Sequence, residues 1–165
     1  MSDGSLHKIV ISSPLGSMTL SEAGGAIVGL DWRIERPTAT TALLSRAAEQ
    51  IEEYFAGRRR GFDLPLAPQG SDFQKKVWRR MAQIPYGQMM TYGALAQAVG
   101  SAPRAVGGAC GRNPIAIILP CHRVIGGSGA LTGYSGAGGV STKQTLLELE
   151  GAVTPRGLDA TRLSA

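Results

Sequence analysis

Cysteine and histidine are both scarce in this chain, two of each in 165 residues. Cys110 and Cys121 make no disulfide framework, which removes the small cross-linked secreted class and points to a reducing cytoplasm. With only His7 and His122 beside them, no structural zinc site is expected, and no metal or cofactor with it. No stretch approaches the roughly eighteen consecutive apolar residues of a membrane-crossing helix. The start, MSDGSLHKIVISSPLG, has no basic region followed by a long apolar one, so it reads as a first strand rather than a signal peptide. Charged residues make up only 18% of the chain against 43% hydrophobic, which argues against disorder and for a buried core. The length fits one large domain or two small ones.

Charge is present but uneven. The net charge is +5; residues 1–70 carry seven Lys/Arg against eight Asp/Glu, whereas residues 71–165 carry ten against four. A basic second half suits a polyanion, most simply nucleic acid.

The first third reads as an antiparallel meander: HKIVIS, SPLG, SMTLSEA, GG, AIVGLDW alternate strand and turn. LLSRAAEQIEEYFAG follows as a helix with Leu44, Ala47, Ile51 and Phe55 on one face, ended by Gly57, with Arg58, Arg59 and Arg60 as its solvated C-terminal end. FDLPLAPQG is a Pro-rich connector, which sets the expected domains at 1–70 and 71–153, with 154–165 as a loosely held tail.

The second domain opens on SDFQKKVWRRMAQIP. Ser71 and Gln74 form a capping-box pattern, Phe73, Val77, Met81 and Ile84 an apolar stripe, and Pro85 a stop. Thr91 caps a short helix over Tyr92–Val99, a turn spans Gly100–Pro103, and a second helix begins near Arg104, the helix-turn-helix pattern. That second helix is almost bare. Ala105, Gly107, Gly108 and Ala109 offer nothing that reads base edges, and each interior glycine costs about 1 kcal/mol relative to alanine. Two explanations stand: tight helix–helix packing, or close approach of the backbone to a nucleic-acid backbone with Arg104 as the one long probe. Further on, IAIILP reads as a short buried strand or extended segment. VIGGSGALTGYSGAGG reads as a site-lining loop, and STKQTLLELEG as a final helix capped by Ser141 and Gln144.

Cys121 lies at the end of that apolar run, in PCHRV. A thiol attacks as thiolate, and burial disfavours the anion, so Cys121 needs a base or a positive field. His122 is the base nearest in sequence, but consecutive side chains of an extended segment point to opposite faces. A bend at Pro120 or a bridging water would resolve this, and Glu148 or Glu150 could orient the imidazole. On chemistry alone the ordinary reading of Cys121 is a small buried hydrophobe, and Cys110 reads as packing.

PCHRV, together with SPLGSMTL, IPYGQMMTYGALA, RAVGGACGRNP, LTGYSG and LLELEG in that order, resembles the O6-alkylguanine-DNA alkyltransferase family over residues 8 to 151. The resemblance implies an α+β fold, with an N-terminal ribonuclease-H-like antiparallel sheet and helix and a C-terminal winged-helix-like domain carrying the helix-turn-helix. It implies single-turnover transfer of an alkyl group from guanine O6, less efficiently thymine O4, to Cys121 after nucleotide flipping through the minor groove. His122 matches the base acting through a water, Glu150 the carboxylate that orients it, and Asn113 the residue holding the site loop. Tyr92 matches the residue that pushes on the target phosphate and polarises the base at N3. Arg104 matches the finger that fills the stack, Ala105 and Gly107 the minor-groove face, and Tyr134 and Ser135 the lesion pocket. The implied partner is double-stranded DNA carrying alkylated guanine, with no membrane, bound by a monomer, and cooperative binding along DNA is left open. Competing readings are a non-catalytic alkyltransferase-like lesion binder, a thiol hydrolase, and a plain helix-turn-helix regulator.

Overall fold

The computed structural model describes residues 5–127, 131, 134, 136, 138–154, 157–158 and 163–164. The chain divides into two compact units, residues 1–69 with 114–118, and residues 70–113 with 119–165. Among the described residues no helix is long and apolar enough to cross a membrane.

The first unit is built on β1 (His7–Ile11), β2 (Met18–Ala23) and β3 (Ala26–Asp31), antiparallel in that order. Gly24 and Gly25 join β2 to β3 in a two-residue turn with φ of 60° and 79°, a pair of left-handed positions that glycine takes without strain. β2 is the central strand, and its Met18 and Leu20 are fully buried. Helix α1 (Ala42–Phe55) is capped by Thr41 and buries Leu44, Ala47, Ile51 and Tyr54. Tyr54 takes the core position expected of Phe55, which is half-buried. Gln50 is buried too, and its side-chain amide pairs both backbone groups of Asp63.

IAIILP is not a strand. Ile115 makes one parallel bridge to Leu30, and Ile117 then turns with φ of 72°. A β-branched residue in the left-handed region is strained, so this turn is imposed by its surroundings rather than by local preference.

In the second unit, α2 (Asp72–Met81) starts at a complete Ser71/Gln74 capping box and buries Val77, Trp78 and Met81. β4 (Met89–Thr91) leads into α3 (Tyr92–Val99), capped by Thr91, and Gly100 closes α3 in the left-handed conformation. α4 (Pro103–Gly111) follows. Trp78 ties α2 to α4 by donating its indole N–H to the Ala109 carbonyl at 2.8 Å. A Cβ on Gly70 would fall 2.5 Å from the Trp78 ring, so glycine is required there.

A 3-10 turn, Cys121–Arg123, leads into β5 (Val124–Ile125), and α5 (Val140–Leu149) precedes β6 (Val153–Thr154), β7 (Gly157–Leu158) and β8 (Leu163–Ser164). β4 is flanked by β5 and β8, both parallel to it. α5 begins one residue before Ser141, after Gly139 at φ 55°, with no side-chain cap. The expected Ser141 cap therefore does not form, because Ser141 already lies in the first turn, where its carbonyl accepts from Thr145 Oγ1.

Candidate active site

The 3-10 turn removes the alternation problem. Cys121 and His122 are not on an extended strand, so their side chains are not forced to opposite faces. Both are buried, Cys121 at 6% exposure and His122 at 0%. Asn113 donates its Nδ2 to the Leu119 carbonyl at 2.7 Å, holding the chain just ahead of the thiol.

Behind His122 the charges form a closed chain. His122 Nε2 lies 2.8 Å from Glu150 Oε2. Arg123 donates Nε to Glu150 Oε1 at 2.8 Å and Nη2 to Oε2 at 2.9 Å, and its Nη1 to the Ile84 carbonyl at 2.7 Å. Burial alone would raise the Glu150 pKa, but the charges and hydrogen bonds of His122 and Arg123 outweigh it and hold the carboxyl well below its usual range. An ionised carboxylate only accepts, so the proton of the imidazole sits on Nε2. The lone pair is then on Nδ1, which is buried and has no hydrogen-bond partner among the described residues.

The IPYG turn supports this chain from below. Ile84 receives Arg123, Tyr86 packs its ring 5.8 Å from the guanidinium and donates its hydroxyl to the Leu149 carbonyl, and Gly87 passes close to Glu150. A Cβ on Gly87, at φ 79°, would stand 3.1 Å from the Glu150 carbonyl oxygen.

On the other side of the thiol is a residue the motifs did not assign. Lys143 is fully buried, with Nζ 3.5 Å from the Tyr92 hydroxyl and 5.5 Å from its ring centroid. Burial pushes Lys143 down to about 8, with the Cys121 and Cys110 thiols acting the other way. Burial pushes the Cys121 thiol up, while the Asn113 side-chain hydrogen bond and the Lys143 charge pull it back. Tyr92 is raised to about 12, first by burial. A signal for Lys143 was available: Lys143, Leu146, Leu147 and Glu150 share the i, i+3, i+4, i+7 stripe of the last helix, so its two charged members had to be buried.

The structure therefore brings Cys121, His122, Glu150, Asn113, Tyr92 and Lys143 together. The buried Tyr134 hydroxyl is raised well above its ordinary value by desolvation and then by the Cys121 charge, which places it in the same electrostatic neighbourhood. Ser135 lies outside the described residues. Arg104 and Ala105 are exposed on α4, and Gly107 is partly so. A Cβ on Gly107 or Gly108 would meet nothing within 4 Å. Helix–helix packing therefore accounts for the buried Ala109 but not for the two glycines.

A buried thiol, an adjacent imidazole held by a carboxylate and a helix-turn-helix in one unit fit a thiol group-transfer site in a nucleic-acid-binding fold. Comparison with known proteins agrees. The family description "6-O-methylguanine DNA methyltransferase, DNA binding domain" matches residues 72–152, and "6-O-methylguanine DNA methyltransferase, ribonuclease-like domain" matches residues 6–68. A methylated-DNA–protein-cysteine methyltransferase of Mycobacterium bovis is 44% identical over 162 residues, covering 93% of this chain and 97% of the relative. One of Methanosarcina barkeri is 47% identical over 151 residues, covering 86% and 94%. The crystal structure of Mycobacterium tuberculosis O6-methylguanine methyltransferase matches with a TM-score of 0.80 at 42% identity, over 95% of this chain and 98% of the other. The Mycobacterium tuberculosis OGT in complex with DNA matches at 0.78 and 46% identity, over 88% and 92%. The chain belongs to the O6-alkylguanine-DNA alkyltransferase family, the methylated-DNA–protein-cysteine methyltransferases.

Proposed function

We propose that this protein repairs double-stranded DNA in the cytoplasm by moving an alkyl group from guanine O6, and more slowly from thymine O4, onto Cys121. The observation that carries the mechanism is the buried Nδ1 of His122, an acceptor with no partner among the described residues, in the residue next to the thiol. The target nucleotide leaves the stack through the minor groove, and Arg104 fills the gap. α4 approaches the backbone closely because Ala105, Gly107 and Gly108 put no bulk in the way.

The thiol proton passes through one water to His122 Nδ1. The sulfur attacks the alkyl carbon, the S–C bond forms, and the C–O6 bond breaks with its electron pair going to guanine. Tyr92 donates toward N3 as that charge develops, backed by the Lys143 cation 3.5 Å away. Tyr134 and Ser135 line the pocket. The proton taken by His122 balances the guanine anion, and the products are neutral guanine and a thioether. Thioethers do not hydrolyse under mild conditions, so each molecule acts once. Incubation with a duplex holding one O6-methylguanine should add one CH2 to the intact mass, on Cys121, with product never exceeding protein. Absence of that gain, or catalytic turnover, overturns the reading.

Two further results are expected. Gly107→Ala or Gly108→Ala should stabilise the protein by up to about 1 kcal/mol, because the added methyl meets nothing in the fold and improves helix propensity. The same methyl should weaken duplex binding roughly tenfold by blocking close approach. Calorimetric melting and a titration read the two opposite signs.

The second concerns pH. Lys143 loses its proton as pH rises through about 8. The transfer rate should therefore fall above that pH, and Lys143→Met should lose this alkaline limb. The folded pKa lies below the unfolded one, so the unfolded state holds the extra proton from about pH 8 to 10.5 and stability rises with pH across that window. Single-turnover rates and melting points from pH 7 to 10 test both signs.

A further inference from the structure

Among the described residues of the second unit, most of the surface positive charge lies on one helix face. Arg123 and Lys143 are buried in the site, and six cations remain on the described surface of this unit: Lys75, Lys76, Arg79, Arg80, Arg104 and Arg112. Four of the six lie on α2. At about 100° per residue they centre on the side opposite Val77, Trp78 and Met81, which face the core. None of the four side chains has a hydrogen-bond or ion-pair partner among the described residues.

An ordinary solvated helix face mixes its signs, as α1 does with Arg46, Glu49, Glu52 and Glu53. α2 has one acid, Asp72, at its first position, and its cations repel each other at the spacings 75/79 and 76/80. Arg79 and Arg80 suit the negative end of the helix dipole, but Lys75 and Lys76 sit in the half where a cation is unfavourable. Folding does not ask for this arrangement, since the capping box and the apolar stripe already specify the helix. A local cost without a structural return marks a functional surface.

We infer that the outward face of α2 is a second phosphate-binding surface, which holds the backbone of duplex DNA independently of the contact made by α4. The inference rests on the DNA-repair reading above. α4 packs against the inner side of α2, where Trp78 meets Ala109, so the cationic face looks away from the bare helix. The face carries no exposed aromatic on which single-stranded bases would stack, and no exposed large apolar side chain that would enter a lipid interface. What remains is point charges one helical turn apart, which neutralise phosphates without reading sequence.

The test is the salt dependence of binding to a short unmodified duplex. Each phosphate neutralised contributes about 0.9 to the slope of log K against log salt. The variant Lys75→Gln/Lys76→Gln/Arg79→Gln/Arg80→Gln should lower that slope by about 3 to 4. Its affinity loss between about 50 and 200 mM salt is then about a hundredfold smaller than the parent's. Exchanging Lys for Arg and Arg for Lys at the four positions should keep the parental slope, since charge and not geometry acts. Melting of both variants checks the fold, which loses no side-chain hydrogen bond or ion pair in either. A slope within one unit of the parent's overturns the inference and leaves α2 a solvated face. The methyl gain on parental Cys121 is read in parallel. If it occurs while the slope stays unchanged, only this inference fails; if it is absent, the repair reading fails whatever the slope does.

Discussion

Cys121→Ala is expected to abolish alkyl transfer outright while leaving binding to alkylated duplex within a few-fold of the parent. In the proposed mechanism the sulfur is a reactant, consumed once per event, so its loss leaves no residual slow reaction of the kind that a missing acid or base leaves. The change removes one buried sulfur and touches neither the charge chain behind His122 nor the exposed side of α4. It also removes the thiol whose ionisation burial opposes, so the pocket keeps its shape without its least stable charge state. Intact mass after exposure to an O6-methylguanine duplex, together with a gel-shift titration of the same duplex, measures both halves. Any alkyl gain elsewhere on the alanine variant would remove Cys121 from its role.

Glu150→Gln is expected to be nearly as damaging to rate, and far more damaging to stability. The amide can turn its NH2 toward His122 Nε2, which moves the imidazole proton to Nδ1 and removes the acceptor that takes the thiol proton. Replacing an orienting carboxylate by its amide in a comparable triad costs about 10⁴-fold, so a loss of about 10²–10⁴ is expected here. The neutral side chain also leaves the buried Arg123 guanidinium without its counter-charge. Breaking a buried pair by removing one partner costs about 3–5 kcal/mol, and the side-chain oxygen of glutamine still accepts from Arg123 Nε, so about 3 kcal/mol is expected.

The same residue sets an acid limit. The folded pKa of Glu150 lies below its unfolded value near 4.5, so as pH falls the unfolded state binds the proton first. The stabilisation is full above about pH 4.5 and drains as pH drops further. The parent should therefore lose stability steeply in acid, and Glu150→Gln, already lacking that contribution, should lose less. Denaturation midpoints from pH 3 to 7 for the two proteins make the comparison. Parallel curves would mean that Glu150 is not the ionised partner of Arg123.

Much of the site was legible because its members are close in sequence or sit in periodic segments. PCHRV places thiol, imidazole and arginine in consecutive positions, and LLELEG places the carboxylate where a helix ends. The apolar stripe and capping box of α2 were readable for the same reason, since helix periodicity and capping are local. The expected Ser141 cap does not form because the Ser/Gln spacing is not by itself a sufficient sign: the helix starts earlier, after Gly139 at φ 55°. The extended reading of IAIILP failed because the run of apolar residues signals burial, which both a strand and a strained turn at Ile117 satisfy.

By itself the sequence determined the adjacent thiol and imidazole, the charge imbalance between the halves, and the helices with the apolar stripe of α2. Each of these follows from residue identity or from a repeat of a few residues. Only the tertiary structure decided that the Cys121–Arg123 segment is a 3-10 turn, that Arg123 clamps Glu150, and that Lys143 reaches Tyr92. It also decided that the glycines of α4 face open space. The two side-chain contacts join groups 27 and 51 positions apart in the chain, Arg123 to Glu150 and Tyr92 to Lys143. Burial brings such groups together, and only there do desolvation and pairing fix where a proton rests.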